Sequence, residues 1–448
     1  PRVHTRGGVL FFISETAHGY KTNMTGQYDV IVLGGGTAGV IAAVQAGRAG
    51  ARTLLVEKAA ALGGTTTTGG VNFPGLFHAW GQQIISGIGW ELVCSCVEEC
   101  GGTLPDFIHY RQPHHRLQIR VNPHVYSALC NEAVVQSGAD MLLHTMVANL
   151  KERGNDGWQV DLCAKEGIIH YNSRVVIDAT GDANAASLAG LALQTPAERQ
   201  PATLTYSVAG YDPAKIDIEH LNRAFDAEVK AGRLSYTDAS WNTTEANLGR
   251  WLHSRGVQSN HIHHIDARDS VGKTRLELQA RKSLLSLYRF LRKQPGLEDL
   301  TIEYVAPECG VRETVTIRGE ATVTVHDYQS GRLWEDAVCY SFYPIDLHIS
   351  SGSGLDMEML AEGVVPTIPR AAMIPQGSRH FIVAGRCISS DRLANSALRV
   401  QATSMGTGQG AGALAALAAN EGCTPGDVPL DAMRSLLKAH GAIVPPSP

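Results

Sequence analysis

Residues 28–57 read YDVIVLGGGTAGVIAAVQAGRAGARTLLVE. The segment contains an apolar strand, a glycine turn, a helix of small residues and a second strand that ends in Glu57; the turn is Gly34-Gly35-Gly36-Thr37-Ala38-Gly39. A G-x-G-x-x-G pattern alone is weak evidence. Here a strand precedes it, a helix follows it, and an acidic residue stands 23 positions after the first glycine. The segment therefore predicts a βαβ unit that binds a dinucleotide.

Each position of this turn has a physical role. Gly34 allows the tight turn, Gly36 lets the backbone approach a pyrophosphate, and Gly39 lets the helix pack closely on the strand. The diphosphate is expected at the free N–H groups where the helix begins, at Thr37 and Ala38. Glu57 is expected to accept hydrogen bonds from ribose hydroxyls, and its charge would repel a 2′-phosphate, which disfavours NADP.

A polar stretch of small residues follows the second strand. It offers many N–H and hydroxyl donors and little to pack, so it is suited to run along a cofactor; the alternative is a solvent-exposed linker. Apolar residues follow at once, which favours the first interpretation. The cofactor contacts predicted here are Lys58, Gly63, Gly64, Thr65, Thr68, Gly69 and Gly70.

Length and composition limit the remaining possibilities. The 448 residues are enough for two domains, or for one large domain with an inserted one. Charged residues make up 18% and the net charge is -5, so no basic field indicates nucleic acid or an anionic membrane surface. The longest apolar run is far shorter than the roughly 20 residues that span a bilayer. A small-molecule partner is the better expectation.

The nine cysteines show no regular framework. Cys94, Cys96 and Cys100 have a spacing that matches neither a zinc ribbon nor the common iron–sulfur runs, so helix packing is favoured over a metal site. The odd count suits a reducing cytoplasm. Because Met24 stands just before the first strand, we expect residues 1–24 to be an N-terminal extension.

The rest of the chain alternates between helical and strand-like patterns. Helices are predicted at residues 88–100, 123–137, 274–293, 405–419 and 429–440. Strands are predicted at residues 141–147, 158–164, 167–171, 175–177, 261–265 and 381–386, among others.

Residues 28–57 also resemble the FAD-binding fingerprint of flavoproteins of the glutathione-reductase structural type. The junction that ends in Ala179-Thr180-Gly181 is similar to the second motif of that group, and Gly385 follows a late strand as in the third. Many members carry Asp where this chain has Arg386. From about residue 28 to 440 the chain is similar to a bacterial family of FAD-dependent oxidoreductases, through residues 310–314, 319–320, 343–348 and 399–409.

The resemblance implies an α/β fold, with a Rossmann-like FAD-binding domain of glutathione-reductase type and an inserted mixed α+β substrate domain. The FAD-binding domain would comprise residues 25–204 and 376–425, the substrate domain residues 205–375, and a C-terminal helix and tail residues 426–448. It also implies cofactor contacts at Val147, at Ala179, Thr180 and Gly181, and at Gly385 and Arg386. A helix starting near Gly406, with Thr407, Gly408 and Gln409, would face the flavin and stabilise its anionic reduced form.

Five residues are candidates for the chemistry. His348 is the first candidate base and His78 the second, because the pKa of an unperturbed histidine lies near neutrality; either could instead be a structural, hydrogen-bonded histidine. Arg312 and Arg399 could fix a carboxylate, polarise a carbonyl or neutralise reduced flavin, or else join two domains through ion pairs. Tyr343 is expected in the same small-molecule pocket.

Three further histidines, His261, His263 and His264, could suggest a metal. On a strand His261 and His263 share one face while His264 points away, and no cysteine or second histidine pair lies nearby, so no metal site is predicted. Lining of the substrate cavity is the favoured interpretation.

The expected function is an FAD-dependent oxidoreductase, a dehydrogenase or oxidase. It would move a hydride between a small organic substrate (alcohol, amine or sugar-like) and flavin N5 and then pass electrons to an acceptor that the sequence leaves open. The alternatives are a flavin-dependent reductase of an activated C=C bond and a non-catalytic flavin-binding scaffold. Formation of a homo-oligomer also stays open.

Overall fold

A computed structural model describes residues 26–447. The predicted extension, residues 1–24, lies outside this range. The strands in the described range are β1 (Gln27–Leu33), β2 (Thr53–Val56), β3 (His78–Ala79), β4 (Gln82–Gln83), β5 (Asp140–Leu142), β6 (Met146–Glu152), β7 (Trp158–Ala164), β8 (Gly167–Asp178), β9 (Leu193–Gln194), β10 (Tyr206–Ala209), β11 (Thr301–Val305), β12 (Thr316–Ile317), β13 (Ala337–Tyr340), β14 (Ile345–His348), β15 (Leu355–Glu358), β16 (Thr367–Pro369) and β17 (Phe381–Val383).

The helices of the same range are α1 (Thr37–Arg48), α2 (Ile88–Glu99), α3 (Pro123–Gln136), α4 (Asn184–Leu188), α5 (Ile218–Lys230), α6 (Leu248–His253), α7 (Ser270–Leu291), α8 (Val325–Gln329), α9 (Arg392–Leu398), α10 (Gln401–Glu421) and α11 (Leu430–Ala439). None of the helices between residues 26 and 447 is both long and apolar enough to cross a bilayer.

A seven-stranded sheet organises the fold. Its order is β5-β2-β1-β8-β7-β6, and β17 also pairs with β8. The strands β5, β2, β1 and β17 run parallel to their neighbours, whereas β6 and β7 are antiparallel. This mixed sheet, with helices packed on it, makes an α/β fold with a Rossmann-like βαβ start, as predicted.

The strand β8 belongs to both parts of the sheet. Its first half pairs with β7, antiparallel, and its second half runs parallel to β1 and β17. The two strands predicted at residues 167–171 and 175–177 are therefore one continuous strand. At its end Asp178 is in register with Leu33 of β1, so the chain leaves both strands side by side, into Gly34 and Ala179. Ligands of open α/β sheets bind at such carboxyl ends.

Helix α10 packs directly against α1 on one face of the sheet, and small residues make this close approach feasible. A Cβ atom at Gly408 would overlap the backbone carbonyl of Ala38, and one at Gly412 would overlap that of Ala42. The small residues predicted at 405–419 therefore do lie against another backbone. The helix begins at Gln401, however, so the predicted start near Gly406 is wrong.

Between residues 26 and 447 the buried apolar residues form three clusters. One lies under α1 and α10 and also includes residues between 323 and 373, such as Tyr328 and Ile368. A second covers the opposite face of the sheet, around Trp158 and Phe381. The third is built only from residues between 202 and 309, in the segment that contains α5, α6 and α7. The boundaries of an inserted domain at 205–375 stay a prediction.

Candidate functional site

A large cavity opens where β1 and β8 end. Its volume is about 1770 Å³, compared with roughly 300–1,000 Å³ for common small-molecule pockets, so a dinucleotide and a second molecule can share it. The predicted cofactor residues that line it are Gly34, Gly36, Thr37, Ala38, Glu57, Lys58, Gly64, Thr65, Thr68, Gly69, Val147, Ala179, Thr180, Gly181, Gly385 and Arg386. Segments far apart in the sequence thus meet around one space.

The glycine turn has the geometry that the sequence predicts. Gly34 has a φ of 102°, which a residue with a side chain rarely adopts. A Cβ atom at Gly39 would overlap the carbonyl oxygen of Gly34, so this glycine permits the contact between helix and strand. A Cβ at Gly36 would meet nothing nearer than Gly64 Cα at 3.9 Å. Gly34 and Gly39 therefore serve the fold, while Gly36 leaves space at the cavity.

The N-terminus of α1 and Glu57 complete the part of the cavity beside this turn. Within the described chain α1 has no side-chain cap and no acidic residue in its first turn, so its dipole favours an anion there. The carboxylate of Glu57 is buried and accepts hydrogen bonds from the N–H of Gly35 (2.6 Å) and of Ala59 (2.7 Å). A carboxylate has capacity for further donors, such as ribose hydroxyls. These features fit a dinucleotide with a free ribose.

Several predicted cofactor residues do not line the cavity. Gly39, Gly63 and Gly70 lie behind it in the turn and the loop. The predicted contacts Gly406, Thr407, Gly408 and Gln409 lie one to two turns inside α10 and pack it against its neighbours: Thr407 Oγ1 accepts from the N–H of Gly385 (3.1 Å), and Gln409 donates to Gln45 (3.2 Å). The residues Gln401 and Ser404 of α10 line the cavity instead.

Arg386 is fixed by an ion pair that the sequence interpretation missed. Its guanidinium pairs with Asp182 and donates to the carbonyl of Val311 (2.6 Å), and Thr314 Oγ1 donates to the same Asp182 carboxylate (2.8 Å). Asp182 lines the cavity and directly follows the Ala179-Thr180-Gly181 motif. Its position next to that motif could have identified it as a site residue from the sequence.

At another part of the cavity, β14 presents Asp346 and His348 on one face, because residues two apart on a strand point the same way. His348 Nε2 lies 3.6 Å from Asp346 Oδ2, and His348 Nδ1 lies 2.8 Å from Nε2 of His261. The backbone N–H of His348 donates to Gln200 Oε1 (3.0 Å). His348 is thus held from three sides. Asp346 was missed as a site residue, although its spacing from His348 was visible in the sequence.

Burial sets the protonation of this group. It lowers the pKa of His348 to about 3, with the charge of Arg312 as the second cause, and it also lowers the pKa of His261. Burial alone would raise the pKa of Asp346, but His348, Arg399 and Arg312 lower it to about 2. At neutral pH Asp346 is therefore ionised and both histidines are neutral.

The two predicted arginines have different surroundings. Arg399 Nη2 lies 3.6 Å from Asp346 Oδ2 and donates to the Asp346 carbonyl (3.0 Å) and to Gln200 Oε1 (3.2 Å). Arg312 Nη1 donates to the carbonyl of Pro201 (2.5 Å) and to Thr203 Oγ1 (3.0 Å). No carboxylate of residues 26–447 lies within ion-pair distance of Arg312. Burial and the neighbouring Arg399 lower its pKa to about 9.

Tyr343 also lines this part of the cavity. Its hydroxyl accepts a hydrogen bond from Gln118 Nε2 (3.1 Å), and its ring lies edge-on to His114. Burial raises its pKa, so the phenol stays protonated and can donate a hydrogen bond to a molecule in the cavity.

His78, the second candidate base, is not brought to the cavity. It stacks on Phe107 with ring centroids 3.7 Å apart and lies edge-on to Trp90. Burial lowers its pKa to about 4. In this aromatic cluster the imidazole acts as a packing group.

His261 and His263 do not lie on a strand, contrary to the prediction for residues 261–265. Only Ile262 makes a β-bridge, with Ala202, and His264 has a φ of 59°. His261 lies behind His348 and stacks on Trp241, with ring centroids 5.7 Å apart. The prediction that these histidines line the cavity is wrong, because neither His261 nor His263 does so. The described residues contain no group of three or more side chains that could hold a metal ion.

The sequence matches the family described as FAD dependent oxidoreductase over residues 29–437. A segment of 53 residues is 42% identical to mitochondrial dihydrolipoyl dehydrogenase of Schizosaccharomyces pombe and makes up 12% of this chain and 10% of that protein. The chain thus matches only about a tenth of the length of this curated relative.

Among the similar solved structures, two cover most of this chain at low identity. One is a geranylgeranyl bacteriochlorophyll reductase-like protein from Thermoplasma acidophilum, 13% identical, with 92% of this chain and 83% of that chain covered and a TM-score of 0.43. The other is the myxobacterial chondrochloren halogenase CndH, 11% identical, with 93% and 79% covered and a TM-score of 0.42. Both TM-scores lie below 0.5, so the family assignment rests on the sequence match. Because that match extends over most of its length, this chain belongs to the FAD dependent oxidoreductase family and binds FAD.

Proposed function

We propose that this protein oxidises a small organic substrate, an alcohol, an amine or a sugar-like compound, by hydride transfer to N5 of FAD. The observation that carries this proposal is the group formed by Asp346, His348 and His261. A carboxylate and a neutral imidazole face the cavity, and a second neutral imidazole lies 2.8 Å behind the first. Oxidation of an alcohol or amine requires removal of a heteroatom proton, and this group is suited to take it up.

The residues that line the cavity include the predicted contacts for the diphosphate, the ribose and the adenine of FAD. We propose the arrangement of the glutathione-reductase type, with the diphosphate at the N-terminus of α1, the adenine-side ribose at Glu57 and the adenine at the backbone of Val147. The first turn of α10, at Gln401 and Ser404, would take the role expected of Gly406 and face the flavin. We further propose that residues 25–204 and 376–425 form the FAD-binding part and that residues 205–375 cover the substrate.

When bound, FAD supplies a two-electron acceptor for the hydride. The residues of this chain then have three tasks. In the hydrogen bond between the two imidazoles, the proton can lie on Nε2 of His261 or on Nδ1 of His348. With the proton on Nδ1 of His348, Nε2 of His348 presents a lone pair to the cavity and can accept the substrate proton. Asp346 stabilises the positive charge that forms on His348, and His261 fixes the orientation of the ring.

The nine cysteines, all within the described range, are free thiols, which supports the proposal of a reducing, cytoplasmic location. The family implies a small-molecule substrate. A second substrate, the electron acceptor, would reoxidise the reduced flavin; the proposal does not specify its identity.

An anaerobic screen tests the proposal. The purified protein is loaded with FAD and mixed without oxygen with alcohols, amines and sugars, while absorbance at about 450 nm is followed. Bleaching of the flavin by one of these compounds supports the proposal. Reoxidation of chemically reduced protein by an enoate, without bleaching in the first screen, would replace the proposal with a C=C reductase. No redox reaction in either direction would leave a flavin-binding scaffold and overturn it.

A further inference from the structure

One cation at the end of the cavity near His348 has no anion within ion-pair distance among the described residues. This end, which we call the cationic end, is formed by Arg312, Arg399, Asp346 and His348. Two guanidinium groups face one carboxylate, and His348 is neutral because its pKa is lowered to about 3. Asp346 is already shared by Arg399 (3.6 Å) and His348 (3.6 Å). Arg312 therefore has no carboxylate of its own within ion-pair distance among residues 26–447.

The nearest acid along the chain, Glu313, makes no ion pair with Arg312, although its charge and that of Asp346 raise the pKa of Arg312 against the effect of burial. Glu313 points away: it accepts from the backbone N–H (2.6 Å) and the side chain (3.0 Å) of Gln200, and it pairs with Arg392 (3.3 Å). Among residues 26–447 the partners of Arg312 are a carbonyl and a hydroxyl, and both are bound by Nη1. A guanidinium has five N–H donors, so the donors on Nη2 and Nε are left for a molecule in the cavity.

A cation removed from water is costly unless an anion pairs with it. The lowered pKa of Arg312, about 9, reflects this cost. A planar fork of donors matches a carboxylate, which it can bind through two parallel hydrogen bonds. Arg312 lines the cavity close enough to His348 to affect its pKa, so the anion would lie beside the base.

We propose that Arg312 binds a carboxylate of the substrate and that the substrate is an organic acid whose oxidised carbon lies close to this carboxylate. The inference rests on the proposed function and narrows its substrate class from any alcohol, amine or sugar to the hydroxy or amino acids among them. Gln118 and Tyr343, hydrogen-bonded to each other (3.1 Å), supply neutral donors at the same end for the remaining polar atoms.

The carboxylate would also activate the base. The charge of Arg312 is one of the causes that lower the pKa of His348, so an anion bound to Arg312 would offset that charge. The pKa of His348 would then rise towards the range in which an imidazole is an effective base. A neutral substrate would not produce this change, so Arg312 would determine specificity through the rate as well as through binding.

The test uses FAD-loaded protein and pairs of small carboxylates and their amides: lactate and lactamide, acetate and acetamide, benzoate and benzamide. Binding to the oxidised protein is followed through the visible spectrum of the flavin and by calorimetry. At least one carboxylate is expected to bind more tightly than its amide. In R312Q its Kd should rise by about 10- to 100-fold, the effect of one lost charge-assisted contact. R312K should recover part of the loss, and R292Q, an equal charge change at the exposed end of α7, should leave the Kd unchanged.

Three results would overturn the proposal. In the first, no carboxylate binds better than its amide, or R312Q binds the carboxylate as tightly as the unchanged protein does. In the second, R312Q loses FAD instead, which would assign Arg312 to the cofactor phosphates. In the third, R312Q lowers the flavin reduction potential without a change in carboxylate affinity, which would assign it to the reduced flavin. The proposed oxidation is tested separately by bleaching of the flavin, so any of these results would refute the inference about the carboxylate and leave the proposed oxidation intact.

Discussion

His261 Nε2 lies 2.8 Å from His348 Nδ1, although the two residues are 87 positions apart in the chain. His348 ends β14, whereas His261 precedes a bridge that ties Ile262 to Ala202 in the separate core of residues 202–309. The contact therefore joins two parts of the molecule next to the cavity. His261 does not line the cavity itself, but it contacts the ring of His348, which does.

Replacement of His261 by asparagine should slow the reduction of FAD by substrate about 10-fold, the effect of one lost hydrogen bond of roughly 1.4 kcal/mol. The substrate KM should change little, because His261 does not line the cavity. Anaerobic stopped-flow spectroscopy measures the rate. The matched control is H263N, because His263 makes no hydrogen bond through either ring nitrogen within the described chain. An equal loss in both variants would refute a specific role for His261.

Alanine at Gly39 and alanine at Gly36 should affect different properties, the stability of the apoprotein and its affinity for FAD. G39A should destabilise the apoprotein, because its Cβ would overlap the carbonyl oxygen of Gly34. G36A should fold normally, because its Cβ would have 3.9 Å to the nearest atom, but it should weaken FAD binding by filling the space left for the pyrophosphate. Thermal unfolding of the apoproteins and flavin fluorescence titrations measure the two effects. FAD affinity unchanged in G36A would contradict the position proposed for the cofactor.

The sequence contained enough information for the βαβ unit, because each glycine there has a local steric reason. Gly34 needs a positive φ and Gly39 a close contact, and both requirements appear as residue types at fixed spacing. The start of α10 was missed because its first turn reads Gln401-Ala402-Thr403-Ser404, without an N-cap side chain to mark it. Gly406, Thr407, Gly408 and Gln409 were predicted to contact the cofactor, whereas Gly406 and Gly408 lie against Cys339 and Ala38.

The cationic end of the cavity was less predictable, because it depends on contacts between distant segments. His348 and the two arginines were identified by residue type, but nothing in the sequence indicates that Gln200 contacts both His348 and Arg399. His78 was predicted as the second candidate base after His348, but it packs on Phe107 and does not line the cavity.

Removal of the Glu57 carboxylate charge should weaken FAD binding. In E57Q one amide group would replace two acceptor oxygens that bind the N–H groups of Gly35 and Ala59, so an N–H would face an N–H. Loss of a charge-assisted hydrogen bond costs about 1.5–3 kcal/mol, which corresponds to a roughly 10- to 150-fold higher Kd if the turn moves out of place. E91Q is the control, since Glu91 pairs with Arg48 at the surface and does not line the cavity. FAD affinity retained in E57Q would exclude Glu57 from the cofactor site.

The stability of the protein should fall in acid partly through His348. Its pKa is lowered from 6.5 to about 3 in the folded state. Below pH 6.5 the unfolded chain therefore binds a proton that the folded chain does not, and the free energy of unfolding decreases. The loss is about 1.4 kcal/mol per pH unit, or about 2 kcal/mol at pH 5. Denaturant unfolding of H348N between pH 7 and pH 4.5 should show a smaller slope; an unchanged slope would mean that His348 is not buried as a neutral group.

The most direct test of the central claim is the anaerobic reduction of bound FAD by substrate in the unchanged protein, in H348N and in H78N. Loss of a general base should slow reduction by about 100- to 10,000-fold in H348N while FAD stays bound. H78N should reduce its flavin at the normal rate, because His78 lies in an aromatic cluster away from the cavity. Normal reduction in H348N, or an equal loss in H78N, would contradict the assignment of proton transfer to Asp346, His348 and His261.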